Sequence, residues 1–478
     1  MMAVIRVSPH NYMLLTLAVG LQLLLIAGPM MLWSPRLLWL ASGLIATAAV
    51  TLFSARRTLL LMFFLTIALP ATVLEGLILP GGLRLQEALL LAAAFFVAVD
   101  LLYTRCLFYQ ASALDGPVAV FLLVALFSAA VGAAAGNLTT VILRDVRFPL
   151  YYMVVFLVTQ TTDTAAVLRR YMPVMILASL AVSLGYILEF AGAIDLSGGT
   201  RFMRVARLHG LALPVALLVL LNQFIYDPER YGRWPLVLLF LPISLAFVIT
   251  VGRGMWLAFA AGALTTILLW HRGRPRGQRR AWQAVLLIGG LMVTIVVTVL
   301  FFQRLTGAAI GVYTLERSLT FVDFRRDVQF LGRLSSYLQT VQRIASRPWL
   351  GSGQGATLPF LFFDAEIYRF SVHHSWTVDS LYLALWWKMG IAGLVAFAWM
   401  ALRTSRLALY VRKHTGAPGV RAFAGGMIAV AVGMVVLGAT DASMVNSRFA
   451  VVFGVLFGLV AVVHRELREE ASAAGERP

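Results

Sequence analysis

The chain has 478 residues, a formal net charge of +18, 60% hydrophobic residues, only 13% charged residues and a mean hydropathy of +0.86. That balance excludes a soluble globular domain, which carries about a quarter of its residues as charges. It implies an all-α polytopic integral membrane protein, a bundle of about 12–14 transmembrane helices with one large extracytoplasmic loop containing short helices.

In chain order, apolar runs of about 17 to 25 residues, each enough to cross a hydrocarbon core of about 30 Å as a helix, fall at 11–33, 37–53, 58–79, 85–104, 116–136, 148–168, 171–193, 207–226, 234–251, 254–270, 282–302, 379–400, 421–440 and 447–463. The first is too long for a signal-peptide core and no small-residue cleavage site follows, so it is expected to be retained. The second, ninth and tenth are short, which leaves room for twelve spans with one or two re-entrant elements. The chain divides into an N-terminal bundle (1–233), a further membrane part (234–302), the large loop (303–378), C-terminal spans (379–463) and a polar tail (464–478) expected to fray. The one cysteine, Cys106, allows no internal disulfide.

The loop Gln303 to Val378 interrupts this apolar chain with eight arginines, the pair His373-His374 and the turn Gly-Ser-Gly-Gln-Gly at 351–355. Held between spans, it is expected to form a hydrated, partly helical cap that carries the site. The glycine turn lacks the lysine and hydroxyl residue that complete a nucleotide-binding loop, so loop flexibility is its expected role. Lys388 falls inside the span that starts at Asp379, where a charge is costly unless it faces a polar cavity; Asp441 is its candidate partner.

Orientation follows from the basic loops. His271 to Arg280 holds five arginines, and Arg403 to Arg421 holds four with Lys413, so both are expected on the cytoplasmic side. Counting spans outward puts both termini inside and the large loop outside. Arg144, Arg147, Arg201, Arg204, Arg207, Arg253 and the eight loop arginines then lie outside, where the rule predicts depletion. Some can snorkel to headgroups or pair with Asp145, Asp195, Asp323 or Asp327. As a group they fit an anionic ligand: only Lys388 and Lys413 are lysines, and the guanidinium fork matches phosphate oxygens.

Three blocks resemble the O-antigen ligase and O-antigen polymerase superfamily. Ile249-Thr250-Val251-Gly252-Arg253-Gly254 is similar to its threonine-x-serine-arginine turn. Gly332-Arg333 followed by Ile344, Pro348 and Gly351-Ser352-Gly353 is similar to its outer-loop pattern. Asp379-Ser380-Leu381-Tyr382-Leu383 leading to Gly390-Ile391-Ala392-Gly393 resembles its helix-opening motif, usually histidine-asparagine-x-tyrosine-leucine. Together they cover roughly residues 234 to 400.

The resemblance implies a membrane glycosyltransferase of the GT-C type acting on an undecaprenyl-pyrophosphate-linked glycan at the periplasmic face of the bacterial inner membrane, in O-antigen, lipopolysaccharide or exopolysaccharide biosynthesis. It implies that Arg253 and Arg333 bind the lipid pyrophosphate; Arg343 and Arg207 join them as candidates. The expected partners are that glycan donor, a glycan or lipid-linked acceptor and membrane lipids, with no nucleic acid. Asp379 stands where the ligase histidine normally sits, which favours the polymerase or exopolysaccharide side. Asp379, His373 and His374 are the candidate bases, since a carboxylate or a neutral imidazole can take a hydroxyl proton. Asp379 could equally be the N-cap of the helix beginning at Leu381. No acidic pair with metal-binding spacing lies outside, so a metal-independent reaction without cofactor is expected. The alternative is a lipid-linked oligosaccharide flippase or polysaccharide exporter, which would spread polar residues along several spans.

Overall fold

The computed structural model describes residues 54–69, 74, 84–104, 109–190, 210, 212–230, 232–250, 252–272, 293, 296–297, 300, 304, 328–364, 369–441 and 445–473. The expected spans at 11–33 and 37–53 and most of 282–302 lie outside these residues. So do Arg201, Arg204, Arg207 and the first part of the large loop.

The described helices are α1 (Ala55–Ala68), α2 (Leu85–Thr104), α3 (Asp115–Ala134), α4 (Thr139–Leu150), α5 (Val154–Thr161), α6 (Thr164–Phe190), α7 (Ala212–Tyr226), α8 (Arg233–Ile249), α9 (Arg253–Arg272), α10 (Val328–Ser346), α11 (Leu381–His414), α12 (Pro418–Thr440) and α13 (Ser447–Ala473). Among the described residues six of them, α3, α6, α9, α11, α12 and α13, are long and apolar enough to cross a membrane. The protein is an all-α, multi-pass membrane protein.

The run 148–168 does not make one span. A 3₁₀ turn at Tyr151–Met153 separates α4 from α5, and α5 stops at Thr161. There the Asp163 carboxylate accepts the Ala166 N–H at 2.6 Å and starts α6 instead. At the other end of the chain, α13 continues through the expected frayed tail to Ala473.

Packing sorts the apolar helices into two kinds. Every residue of α13 from Ser447 to His464 is buried, so this helix is the centre of the bundle. In contrast α3 exposes Leu123, Leu126 and Phe127, α9 exposes Leu264 and Leu268, and α11 exposes Val395 and Leu402, an apolar outer belt suited to acyl chains. Small residues set the closest approaches: a Cβ on Gly433 would meet the Ala258 carbonyl at 2.8 Å, and one on Gly262 the Ala429 carbonyl at 2.8 Å, so α9 and α12 cross nearly backbone to backbone.

Among its described residues the large loop contains one strongly amphipathic helix, α10, and an antiparallel hairpin of β1 (Leu358–Asp364) and β2 (Arg369–Ser375), in which Phe360 pairs with His373 and Pro359 with His374. The hairpin adds strands that the expected short helices did not include.

Candidate active site

At one end of the bundle α4, α10, the residues after β2, the start of α11, the end of α12 and the start of α13 enclose a cavity of about 470 Å³. Its walls carry Arg84, Arg144, Arg147, Arg333 and Lys388 against Asp145, Asp379 and Asp441, five cations to three carboxylates. Excess positive charge in a partly enclosed, low-dielectric site selects an anion.

Arg333 and Tyr337 lie one turn apart on α10 and therefore on one face. Both reach Asp379: Arg333 Nε donates to Asp379 Oδ2 at 2.7 Å, and Tyr337 Oη donates to the Asp379 carbonyl at 2.5 Å. Burial, reinforced by the nearby Asp379 carboxylate, pushes the Tyr337 phenol up to about 12, so it stays a donor at neutral pH. The two terminal amines of Arg333 make no hydrogen bond among the described residues, leaving the fork to the cavity. Asp379 is not the helix cap. Ser380 takes that position, its Oγ accepting the Leu383 N–H at 3.5 Å, which leaves the 45% exposed Asp379 side chain to hold Arg333.

Lys388 pairs with Asp145 of α4, not with Asp441. Both are buried, and Asp145 Oδ2 also accepts the Gly355 N–H at 2.9 Å. An ion pair out of water needs such extra bonds to offset desolvation. The glycine turn is therefore part of the packed frame and not a flexible loop. Ser352 N–H donates to the Trp387 carbonyl at 2.7 Å and Gln354 N–H to the Ser128 carbonyl at 3.1 Å. Gly351, Gly353 and Gly355 have φ of 69°, 78° and 81°, which favour glycine. A Cβ at Gly351 would collide with the backbone of α11 at Gly390, itself at φ 67° where that helix kinks. Ile391 N–H, released by the kink, donates to the Pro348 carbonyl at 3.1 Å.

The remaining arginines are held differently. Arg147 Nε pairs with Glu87 at 2.7 Å, and Glu87 also accepts the Arg84 N–H at 2.7 Å. The Arg144 guanidinium lies 3.9 Å from the centre of the Trp376 ring. Of the other expected site residues, Arg253 opens α9 at this same end, beside Gly254, whose Cβ position meets Thr440 next to Asp441; it is not among the cavity-lining residues. Arg343 is exposed in the last turn of α10 and His374 is exposed on β2. Arg207 and the His373 side chain lie outside what the structure describes.

Residues 236–398 match the family model described as O-antigen ligase. The chain carries an O-antigen ligase domain. No curated protein matches it. The O-antigen ligase domain contributes Arg333, Trp376, Asp379 and Lys388 to the cavity, while Arg84, Arg144, Asp145, Arg147 and Asp441 come from outside the match. The cavity is thus assembled half from the ligase domain and half from the flanking bundle. Sequence inspection signalled Lys388 as an intramembrane charge and Arg144 as an outer arginine. It missed Tyr337, Trp376 and the role of Asp145; the two arginines beside Asp145 were its only signal.

Proposed function

We propose that this O-antigen ligase-like membrane protein transfers or polymerises an undecaprenyl-pyrophosphate-linked glycan at the periplasmic face of the bacterial inner membrane, in the synthesis of a surface polysaccharide. The observation that carries this is the cation-rich cavity in which Asp379, itself anchored by Tyr337, holds Arg333 with its terminal amines unspent. In the reaction an acceptor hydroxyl oxygen bonds to the anomeric carbon, the bond from that carbon to the pyrophosphate oxygen breaks, and its electron pair leaves with the pyrophosphate. Fixed guanidinium groups stabilise that growing charge without reorganising. Arg333 is the principal group, with Arg253 binding the same pyrophosphate from the start of α9, and the chain's own arginines make the step metal-independent.

The hydroxyl proton goes to Asp379. This carboxylate lines the cavity beside Arg333, whereas His374 is exposed on the hairpin. Charge growing on the leaving pyrophosphate competes with Asp379 for the fixed Arg333 guanidinium, which leaves the carboxylate freer to take the proton as bond formation proceeds.

Purified protein in detergent, given the lipid-linked glycan and acceptor with no nucleotide, is expected to form a longer or transferred glycan and release undecaprenyl pyrophosphate. Asp379→Asn should fold and lose turnover by about 10²- to 10⁴-fold, the usual contribution of a general base, while His374→Ala should stay active. Translocation of the lipid-linked glycan across proteoliposomes with no covalent change would instead establish the exporter alternative.

A further inference from the structure

The cavity contains a second, uncharged recognition element that the pyrophosphate does not use. Trp376 follows β2 and lines the cavity three residues before Asp379. Ser375 pins the backbone on either side of it, its Oγ donating to the Thr377 carbonyl at 2.7 Å and accepting the Thr377 N–H at 3.2 Å. One face of the indole is covered by the Arg144 guanidinium at 3.9 Å, yet the residue remains 48% exposed, so the opposite face is open. Thr377, the next residue, also lines the cavity, and its buried Oγ1 has no hydrogen-bond partner among the described residues. The Arg144 Nε is held by no hydrogen bond among the described residues and has a distant neighbour in Asp145 Oδ1 at 3.9 Å, while Lys388 and Gly355 engage the other oxygen, Oδ2.

An open aromatic face beside an unspent hydroxyl in one cavity matches a ligand with an apolar face and a polar rim. A lipid chain would leave the Thr377 hydroxyl unsatisfied in a buried setting, which is costly. A phosphate would call for the guanidinium fork to face the ligand, whereas the Arg144 guanidinium is placed over the far face of the indole. A pyranose ring meets both requirements, its axial C–H groups resting on the open face of the indole and one of its hydroxyls meeting Thr377 Oγ1.

We infer that Trp376, backed by Arg144, is the platform for the sugar ring that carries the pyrophosphate, with Thr377 Oγ1 bonding one of its hydroxyls. This rests on the pyrophosphate reading of the cavity, because it is the Arg333–Asp379 pair, three residues along, that puts the anomeric carbon next to the platform. Trp376 is then a specificity-determining residue for the sugar, and Arg144 is a positioning residue that orients the indole.

The test is binding to the full-length protein in detergent of bare undecaprenyl pyrophosphate and of the same lipid bearing one glucose, galactose or N-acetylglucosamine. At least one sugar-bearing lipid should bind the wild type more tightly than the bare lipid. In Trp376→Ala that preference should fall by about 3- to 10-fold, the range of a single aromatic contact. Affinity for the bare lipid should be unchanged, and Trp376→Phe should keep most of the preference. Equal weakening of bare and sugar-bearing lipids in Trp376→Ala would make the indole a prop for Arg144 and overturn the platform. Unchanged affinity for the sugar-bearing lipids would overturn it too, with the pyrophosphate reading intact. A wild type that binds neither kind of lipid would instead remove the pyrophosphate reading, and the platform with it.

Discussion

The two ends of the helical bundle use arginine for opposite purposes. At the end away from the cavity, arginines are spent on the backbone: Arg56 Nε donates to the Thr161 carbonyl at 2.6 Å, Arg230 to Leu168 at 2.7 Å, Arg412 to Leu269 at 2.6 Å, Arg421 to Thr415 at 2.8 Å and Arg465 to Thr159 at 2.9 Å. Most of these carbonyls lie in last helical turns or just beyond them, where no intrahelical donor remains, so a cation there caps the helix and meets its dipole. At the cavity end Arg448 caps Leu69 in the same way at 2.6 Å, but Arg144, Arg147 and Arg333 are held by a ring or a carboxylate and line open space. A guanidinium consumed by backbone carbonyls is a structural part. One held through a single nitrogen keeps its remaining donors for a ligand.

The sharpest break in that contrast would come from Arg333. Arg333→Ala is expected to lower transfer by about 10²- to 10³-fold, as loss of a preorganised charge-stabilising donor does, with expression and thermal unfolding close to wild type. Arg333→Lys should recover part, because a point charge lacks the fork. Full turnover in the alanine variant would show that the cavity cations are structural after all.

The buried pair tests whether the cavity frame depends on charge. Lys388→Met leaves Asp145 buried without its cation, and should destabilise the protein by about 3–5 kcal/mol, read as a lower unfolding midpoint. Adding Asp145→Asn, whose amide oxygen still accepts the Gly355 N–H, should restore most of that loss. A single variant as stable as wild type would show that Asp145 finds another partner.

At the opposite end the expected effect is on stability alone. Arg421→Met removes one donor to the Thr415 carbonyl and should cost about 0.5–1.5 kcal/mol, with unchanged turnover per folded molecule. Lost turnover at normal stability would erase the distinction between the two ends.

The smallest effect concerns pH. Burial pushes the Asp163 carboxyl up, but the Ala166 N–H and Arg56 outweigh it and hold the group below its ordinary value. A depressed carboxyl contributes stability above its unfolded-state value and loses it as pH falls through the folded one. Wild type should therefore lose more stability than Asp163→Asn on acidification below the ordinary carboxylate range, by a modest margin because Asp163 is 45% exposed and Arg56 is partly screened. Parallel acid profiles would remove Asp163 from the account.

Much was legible along the chain because hydropathy is local. A helix buried in lipid or protein needs a continuous apolar run, so the six span-length helices each fall on a predicted run, although 148–168 breaks into shorter pieces, and the polar stretch between them announced the cap. Arg333 and Asp379 were legible through short motifs, and their joining at 2.7 Å completes what spacing alone left apart. The N-cap expected at Asp379 falls instead to Ser380, an equally good capping residue, while the Asp379 carboxylate is occupied by Arg333.

The membrane setting and the polar cap follow from composition within a few tens of residues, and the arginine-bearing blocks stand out through their resemblance to the O-antigen ligase family. Only the tertiary structure decided how those pieces meet. Lys388 and Asp145 stand 243 positions apart, and nothing near either one names the other. Trp376 becomes a platform only because α4 brings Arg144 beneath it, and the glycine turn becomes rigid only because α3 and α11 close on it. Contacts of this kind depend on helix crossings, which small residues far apart in the chain set jointly and no local period records.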